Sequence, residues 1–389
     1  TACTDFIEID PENKVPEQGV DFTNKNNMYQ PVVGAYSKVR TQGMHWCNAL
    51  LMFTRDGDVW SGRTDDQGDA VAFGRKFNYN NSFWALNQVW MNFYDIIRIT
   101  NAALQSLDGY AEYLAAGTYE SYCGEVRTIR AWAYYCLVTN FGPTVIYRDN
   151  LQTDFRRSTV EAVYNYMLED LNYAIDKLPR MRPNQMEHKG AVTAFTAQAL
   201  AARIYLLKGD YAQVETLTDD IIKNGGFRLY DDFYQLFKIP GKLCDESLFE
   251  CQVTDYGNGS GDYLGVDQWF NFQGPKMAER YDEVVNADGT ISYKQAEGTK
   301  SIGGWNFIGY EPEFVAWAEA RGEGVRAETS FLKALSKTRE GWQVGPTSAT
   351  KTDCWNGKGY LPDNQMTLPR TTYGANNNVR IMRYAEVLL

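Results

Sequence analysis

Between Trp84 and Asn224 the apolar residues recur at three- and four-residue spacing in one segment after another, a period that only packed helices satisfy. The first stripe, Trp84 to Leu107, carries Leu86, Val89, Trp90, Phe93, Tyr94, Ile97, Asn101 and Leu104. A second, from about Tyr119 to Thr139, aligns Cys123, Val126, Arg130, Ala133, Tyr134 and Leu137, and Phe141-Gly142-Pro143 ends it. Ser158 with Glu161 three residues on reads as a capping box opening a third, whose stripe runs Val160, Val163, Tyr164, Met167, Leu168, Leu171, Ile175 and Leu178. A fourth, Ala-rich, spans about Thr193 to Lys208. A tight turn at Gly209-Asp210 leads into a fifth, Tyr211 to Asn224, which stops at Gly225-Gly226. Short turns make consecutive helices antiparallel neighbours. The pair around Gly209-Asp210-Tyr211-Ala212 has the length of a tetratricopeptide unit, without that motif's Trp.

Ahead of this block, Met28, Val32, Val33, Tyr36 and Val39 predict one further helix in the stretch from Asn24 to about Met52, followed by a loop. Residues 54–82 are rich in Gly, Asp, Asn and Arg and have little period. Long loops in compact folds are usually functional. After about residue 240 the helical stripes fade while Gly, Asn, Trp and Tyr rise. Glu246 to Val253 reads as a short alternating strand, Asn286-Ala287-Asp288-Gly289 as a hairpin turn, and Pro312 to Ala320 as a short helix.

Composition narrows the chemistry. A formal charge of −11 repels phosphate backbones, so nucleic acid is a poor partner. The two histidines, His45 and His188, lie far apart and give hydrolase triads or zinc sites little to work with. The seven cysteines form no CxxC pair; Cys136 reads as a buried thiol, and Cys244 and Cys251 flank a predicted strand, where pairing stays open. Asp56-Gly57-Asp58 and Asp288-Gly289 are too sparse for a calcium loop. Gly257, Gly259 and Gly261 lack the strand-to-helix setting of a phosphate loop, so neither a metal nor a cofactor is expected. Thr1-Ala2-Cys3 followed by an acidic stretch has the form left by a lipoprotein signal peptide, with Cys3 as the acylated residue. The last residues, Tyr384 to Leu389, read as a helix cut short of any cap.

Several segments together resemble the SusD/RagB family of surface lipoproteins. They are the opening Cys3 to Pro11, Trp90-x-x-x-Tyr94-x-x-Ile97-x-x-x-Asn101, and Glu125-x-x-x-Ile129-Arg130-Ala131-x-Ala133-Tyr134-Tyr135 through Phe141-Gly142. Ala201 to Leu206 with Gly209-Asp210-Tyr211, Glu246 to Glu250, and Arg383 to Leu389 complete the set in the family's order. The resemblance implies a mainly α fold: tetratricopeptide-like helix pairs forming a scaffold, with an irregular loop-rich lobe containing short hairpins. It implies a division into a lipid-anchored segment (1–23), a scaffold (24–240) with an inserted loop region (54–82), a ligand-binding lobe (241–380) and the start of a truncated helix (381–389). It further implies a non-catalytic protein on the outer-membrane surface that captures oligosaccharides for a SusC-like TonB-dependent transporter, or, in some members, captures peptides.

A sugar site needs flat rings for C–H faces and amides or charged groups for hydroxyls. Aromatics in polar loops are therefore the candidates. They are Trp60 in Asp56-Gly57-Asp58-Val59-Trp60-Ser61, Phe77 and Tyr79 alternating with Asn78 and Asn80, Trp269 near Asn271, and Trp305 with Asn306 after Gly303-Gly304. Phe272, Trp342 and Trp355 fall in similar surroundings. A glycoside hydrolase would also need aromatic platforms, plus two carboxylates about 5–9.5 Å apart, and no hydrolase motif stands out. A pure tetratricopeptide adaptor would leave the aromatic loops without a role.

Overall fold

The computed structural model describes residues 21, 24–53, 57–61, 83–253, 269, 272–274, 280–295, 304, 307–341, 343–344, 354–362, 365 and 377–389. The expected helices form, and each of the long ones packs on the next. α1 is Lys25–Lys38, capped by Asn24, whose side chain accepts from the Asn26 backbone N–H. It runs into a π-helical turn, Val39–Gly43, and α2, Trp46–Phe53, follows, so a second helix stands where a loop was expected. α3 is Trp84–Tyr110, α4 Thr118–Phe141, α5 Val160–Lys177, α6 Ala194–Lys208 and α7 Tyr211–Asn224. α1 packs on α3, and the contacts then pass α3–α4, α4–α5, α5–α6 and α6–α7, the ladder of a helical-pair scaffold.

α4 lies in the middle of that ladder and is buried along most of its circumference. Polar residues there must be paired. Asp170 of α5, 1% exposed, receives Nε and Nη2 of Arg130 at 2.8 and 2.7 Å and Nη1 of Arg127 at 3.0 Å. Arg130 Nη1 donates in turn to Asn101 Oδ1 of α3 at 2.7 Å, so one network ties three helices. Just before these arginines on α4, the Glu125 carboxylate accepts from Tyr29 and Tyr36 hydroxyls of α1 at 2.9 and 2.8 Å.

The cap of α5 differs from expectation. Ser158 N–H is already committed to the Thr144 carbonyl at 2.7 Å, and Thr159 caps instead, its side chain accepting from Ala162 N–H. Glu161 pairs with Lys208. Thr159→Ala is expected to cost about 1 kcal/mol and Ser158→Ala much less, as read from urea midpoints. The α6–α7 turn follows expectation. Gly209 takes φ +74°, where any other residue is strained, and the Asp210 side chain caps α7.

Beyond α7 come the short α8, Phe233–Leu236, α9, Pro312–Ala320, α10, Val325–Ser330, and α11, Tyr384–Leu388. The strands are β1 Val59–Ser61, β2 Ser247–Cys251, β3 Arg280–Val285, β4 Ile291–Gln295, β5 Ile308–Tyr310, β6 Phe331–Lys333, β7 Gln343–Val344, β8 Cys354–Asn356 and β9 Val379–Arg383. They pair antiparallel as β1–β5, β2–β9, β4–β3–β7 and β6–β8. β3 and β4 form the expected hairpin, closed by Asn286 N–H to the Thr290 carbonyl at 2.8 Å. β2 is buried along its whole length instead of alternating, because β9 covers one edge and α6 packs on it. Cys244 and Cys251 are both free thiols, and Cys251 is buried in β2. No helix among the described residues is long and apolar enough to cross a membrane.

Candidate ligand-binding site

An aromatic cluster gathers where α2 and α3 begin. Trp46 opens α2 and Trp84 opens α3. A chain of amides holds the two helix starts together. Asn48 Nδ2 donates to the Gln42 and Gly43 carbonyls, Asn92 Nδ2 donates to Asn48 Oδ1 at 3.3 Å, and Gln88 Nε2 donates to Asn92 Oδ1 at 2.8 Å. The two indoles therefore meet edge-on, 5.4 Å apart at 66°. Phe307 lies parallel to Trp46 at 6.2 Å, and Phe272 sits beside both, 5.6 Å from Trp46 and 5.3 Å from Phe307.

Backbone pairing brings the remote segments in. Phe307 N–H donates to the Phe272 carbonyl at 3.2 Å. A Cβ on Gly304 would lie 2.4 Å from the Gly274 carbonyl carbon, so glycine is what allows those two chains to touch. In the β1–β5 ladder Trp60 stands opposite Gly309. The strand bearing Trp60 and the described residues 272–274 and 307–310 are thus joined to one another beside Trp46.

Trp269 itself is buried, 7% exposed, and its carbonyl accepts from Gln273 Nε2 at 2.8 Å. Phe272 and Trp355 are fully buried, and Trp355 lies in β8 instead of a loop. Cys3, Phe77, Tyr79, Trp305, Asn306, Trp342 and the Gly257–Gly261 run lie outside the described residues, as does the side chain of Trp60. Trp84, 45% exposed, was missed. Its signal was present: a large ring at the first turn of the helix, off the apolar stripe.

The titratable groups beside the cluster are shifted by burial. Burial pushes the His45 imidazole below its ordinary range, so it is neutral at neutral pH. Its Nδ1 accepts from Cys47 N–H at 3.2 Å, which leaves the proton on Nε2. The Cys47 thiol is pushed up to about 12 by burial, far from a reactive thiolate. No group of three potential metal ligands occurs among the described residues. His188 stacks on Tyr29 of α1 at 3.7 Å, and neither ring belongs to the aromatic cluster.

A mainly helical scaffold of stacked pairs, followed by short antiparallel strand pairs, defines the class by its fold. The chain belongs to the SusD-like family described as starch-binding and associating with the outer membrane, whose sequence profile matches residues 5–206. A SusD-like protein of Bacteroides ovatus is 23% identical over 227 residues, 51% of this chain and 41% of that protein. The matched region thus spans well under half of that curated relative. Among solved structures, a laminarin-binding SusD-like protein superposes with a TM-score of 0.74 at 20% identity, covering 94% of this chain and 78% of the other. Surface glycan-binding protein A from Bacteroides thetaiotaomicron, in complex with laminarihexaose, gives 0.67 at 20% identity, covering 94% and 77%. The corresponding Bacteroides fluxus protein gives 0.68 at 22% identity, covering 94% and 75%. At these identities the likeness establishes the fold.

Proposed function

We propose that this protein is a cell-surface glycan-binding lipoprotein, anchored through Cys3, that captures oligosaccharides and delivers them uncut to a SusC-like TonB-dependent transporter. The observation that carries the reading is the half-exposed Trp84, set edge-on to Trp46 beside Phe307. Rings held this way present a flat apolar face at little further entropic cost, which suits the C–H face of a pyranose. Trp60, Phe77, Tyr79, Trp305 and Asn306 are the further ligand contacts in this reading, with Trp269 at the back of the platform. The family's description and the glycan-binding names of the solved neighbours support the choice of carbohydrate over peptide.

Calorimetry with laminarihexaose and with maltohexaose tests it. Binding of one of these neutral oligosaccharides is expected, and Trp84→Ala is expected to weaken it by about tenfold or more, roughly 1.4 kcal/mol. Prolonged incubation is expected to release no shorter sugar. Affinity that survives Trp84→Ala combined with Trp60→Ala would remove the platform from the reading; product release would make the protein an enzyme.

A further inference from the structure

A second cavity, of about 410 Å³, lies between α1, the loop ahead of α6, and β2, and no ring of the aromatic cluster lines it. Its walls include Tyr29, Tyr36, Arg40, His188, Phe249 and Gln252. Arg40 is the unusual member. It sits in the π-helical turn Val39–Gly43, a backbone form that costs hydrogen-bond quality and is frequent at functional sites. Its guanidinium, half-buried, makes no hydrogen bond or ion pair among the described residues, and its Nε is sealed from solvent without a partner. Arginines of comparable or greater burial behave otherwise: Arg130, Arg182, Arg380 and Arg383 each face a carboxylate.

The neighbouring acids face other partners, although Glu250 also lines the cavity and its Oε1, 3.6 Å from Arg380 Nε, accepts no hydrogen bond among the described residues. Glu125 accepts both phenols, Glu250 accepts from Leu243 N–H and Asn378 Nδ2 and pairs with Arg380, and Glu187 pairs with Lys25. None of these neutralises Arg40. Lys189 adds a further cation to the rim. The walls, meanwhile, are fixed. The hydroxyls of Tyr29 and Tyr36 are pinned on Glu125, and His188 stacks on Tyr29 at 3.7 Å and 8°. In a chain of net charge −11, a pocket that leaves a guanidinium without its acid is shaped for an anion from outside.

We propose that this cavity is a second ligand site, taking a single carboxylated sugar ring of the hexuronate class, with its carboxylate on Arg40 and its ring against the phenol walls. The volume suits one pyranose, the planar fork of arginine matches a carboxylate, and the Gln252 amide serves ring hydroxyls. The site is separate from the Trp84 platform and does not depend on it.

The test titrates the whole chain with methyl glucuronide, methyl glucoside and an acetylated dipeptide bearing a free C-terminal carboxylate, observed by ligand NMR and calorimetry. The glucuronide is expected to bind, the uncharged glucoside about tenfold or more weakly, and the affinity to fall with added salt. Arg40→Met should abolish glucuronide binding and Arg40→Lys should weaken it, while Trp84→Ala leaves it unchanged. Laminarihexaose titrated into the same variants reads the other site independently. Thermal midpoints check folding, and Arg40→Lys keeps the test decisive where Arg40→Met is unstable. Equal affinity for glucuronide and glucoside, no binding of either, or full binding by Arg40→Lys at high salt would overturn the proposal. A dipeptide that binds more tightly than the glucuronide would overturn the assignment to a sugar.

Discussion

Asp170→Ala is expected to destabilise the protein by about 3–5 kcal/mol, the largest effect of any single substitution discussed. The carboxylate is 1% exposed and takes three hydrogen bonds, two of them from the fork of Arg130. Removing it leaves Arg130, 5% exposed, charged in the interior, with Asn101 Oδ1 as its remaining hydrogen-bond acceptor among the described residues and the Tyr166 ring 5.3 Å away. An arginine cannot escape by losing its proton, so the full penalty of a buried unpaired charge falls on the folded state. Asp170→Asn should do nearly as much harm. It keeps the shape but supplies no charge, and its amide nitrogen would face a guanidinium that only donates. Urea denaturation followed by circular dichroism reads the effect, and the double variant Asp170→Leu/Arg130→Met is the informative control. If the loss comes from the stranded charge, the double variant recovers much of it, because replacing both partners with apolar groups of similar volume is often close to neutral. A double variant as unstable as Asp170→Ala would mean that the network acts through packing geometry instead.

This network also marks how far the sequence could be read. Arg130 and Asn101 appeared in their apolar stripes as polar residues on a buried face, which announces a buried polar pair, but Asp170 lies 40 residues on and no local pattern links it. The helices were legible because each is amphipathic and punctuated: Thr193 caps α6, Gly209 ends it, Asp210 caps α7. The cap of α5 was misread because Ser158 and Thr159 are chemically equal candidates. A backbone hydrogen bond to Thr144 decided between them. Nothing near His188 in sequence predicts its stack on Tyr29 of α1.

The site shows the same division. Aromatics in polar loops were the candidates, and the β1–β5 ladder and the Phe272–Phe307 hydrogen bond join three of the segments that carry them. Trp84 stands off the apolar stripe of α3 and Trp46 falls where a loop was expected, so no helical period marks either ring. What gathers them is tertiary contact: Trp46 meets Trp84 and, more than 200 residues away, Phe307. Distances of that kind are set by the scaffold, and here the scaffold is in turn set by buried polar ties between α1, α3, α4 and α5.

The tie between α1 and α4 is titratable, and its pH dependence has a definite sign. Burial raises the Glu125 carboxyl from 4.5 to about 7, against the opposing hydrogen bonds from Tyr36 and Tyr29. Both phenols are themselves pushed up, first by burial and then by Glu125, so they remain protonated donors throughout the physiological range. The folded state therefore holds the Glu125 proton more tightly than the unfolded chain does. The stability this confers is fully present below pH 4.5 and is lost as pH rises to about 7, after which it stays level. The separation corresponds to roughly 3 kcal/mol. Glu125→Gln removes the titration while keeping an oxygen for the two phenols. Its buried amide adds a fixed offset, so the absolute stabilities of the two proteins at one pH decide nothing. The difference between them is the observable: from pH 4 to pH 8 it should swing by about 3 kcal/mol in favour of the glutamine variant, with the midpoint of the swing between 4.5 and 7. Denaturant titrations across that range measure it. A difference that stays flat, or swings the other way, would mean that Glu125 is ionised at ordinary pH with its charge held by the two tyrosines, and that the α1–α4 tie is an anion clamp instead of a protonated hydrogen-bond knot.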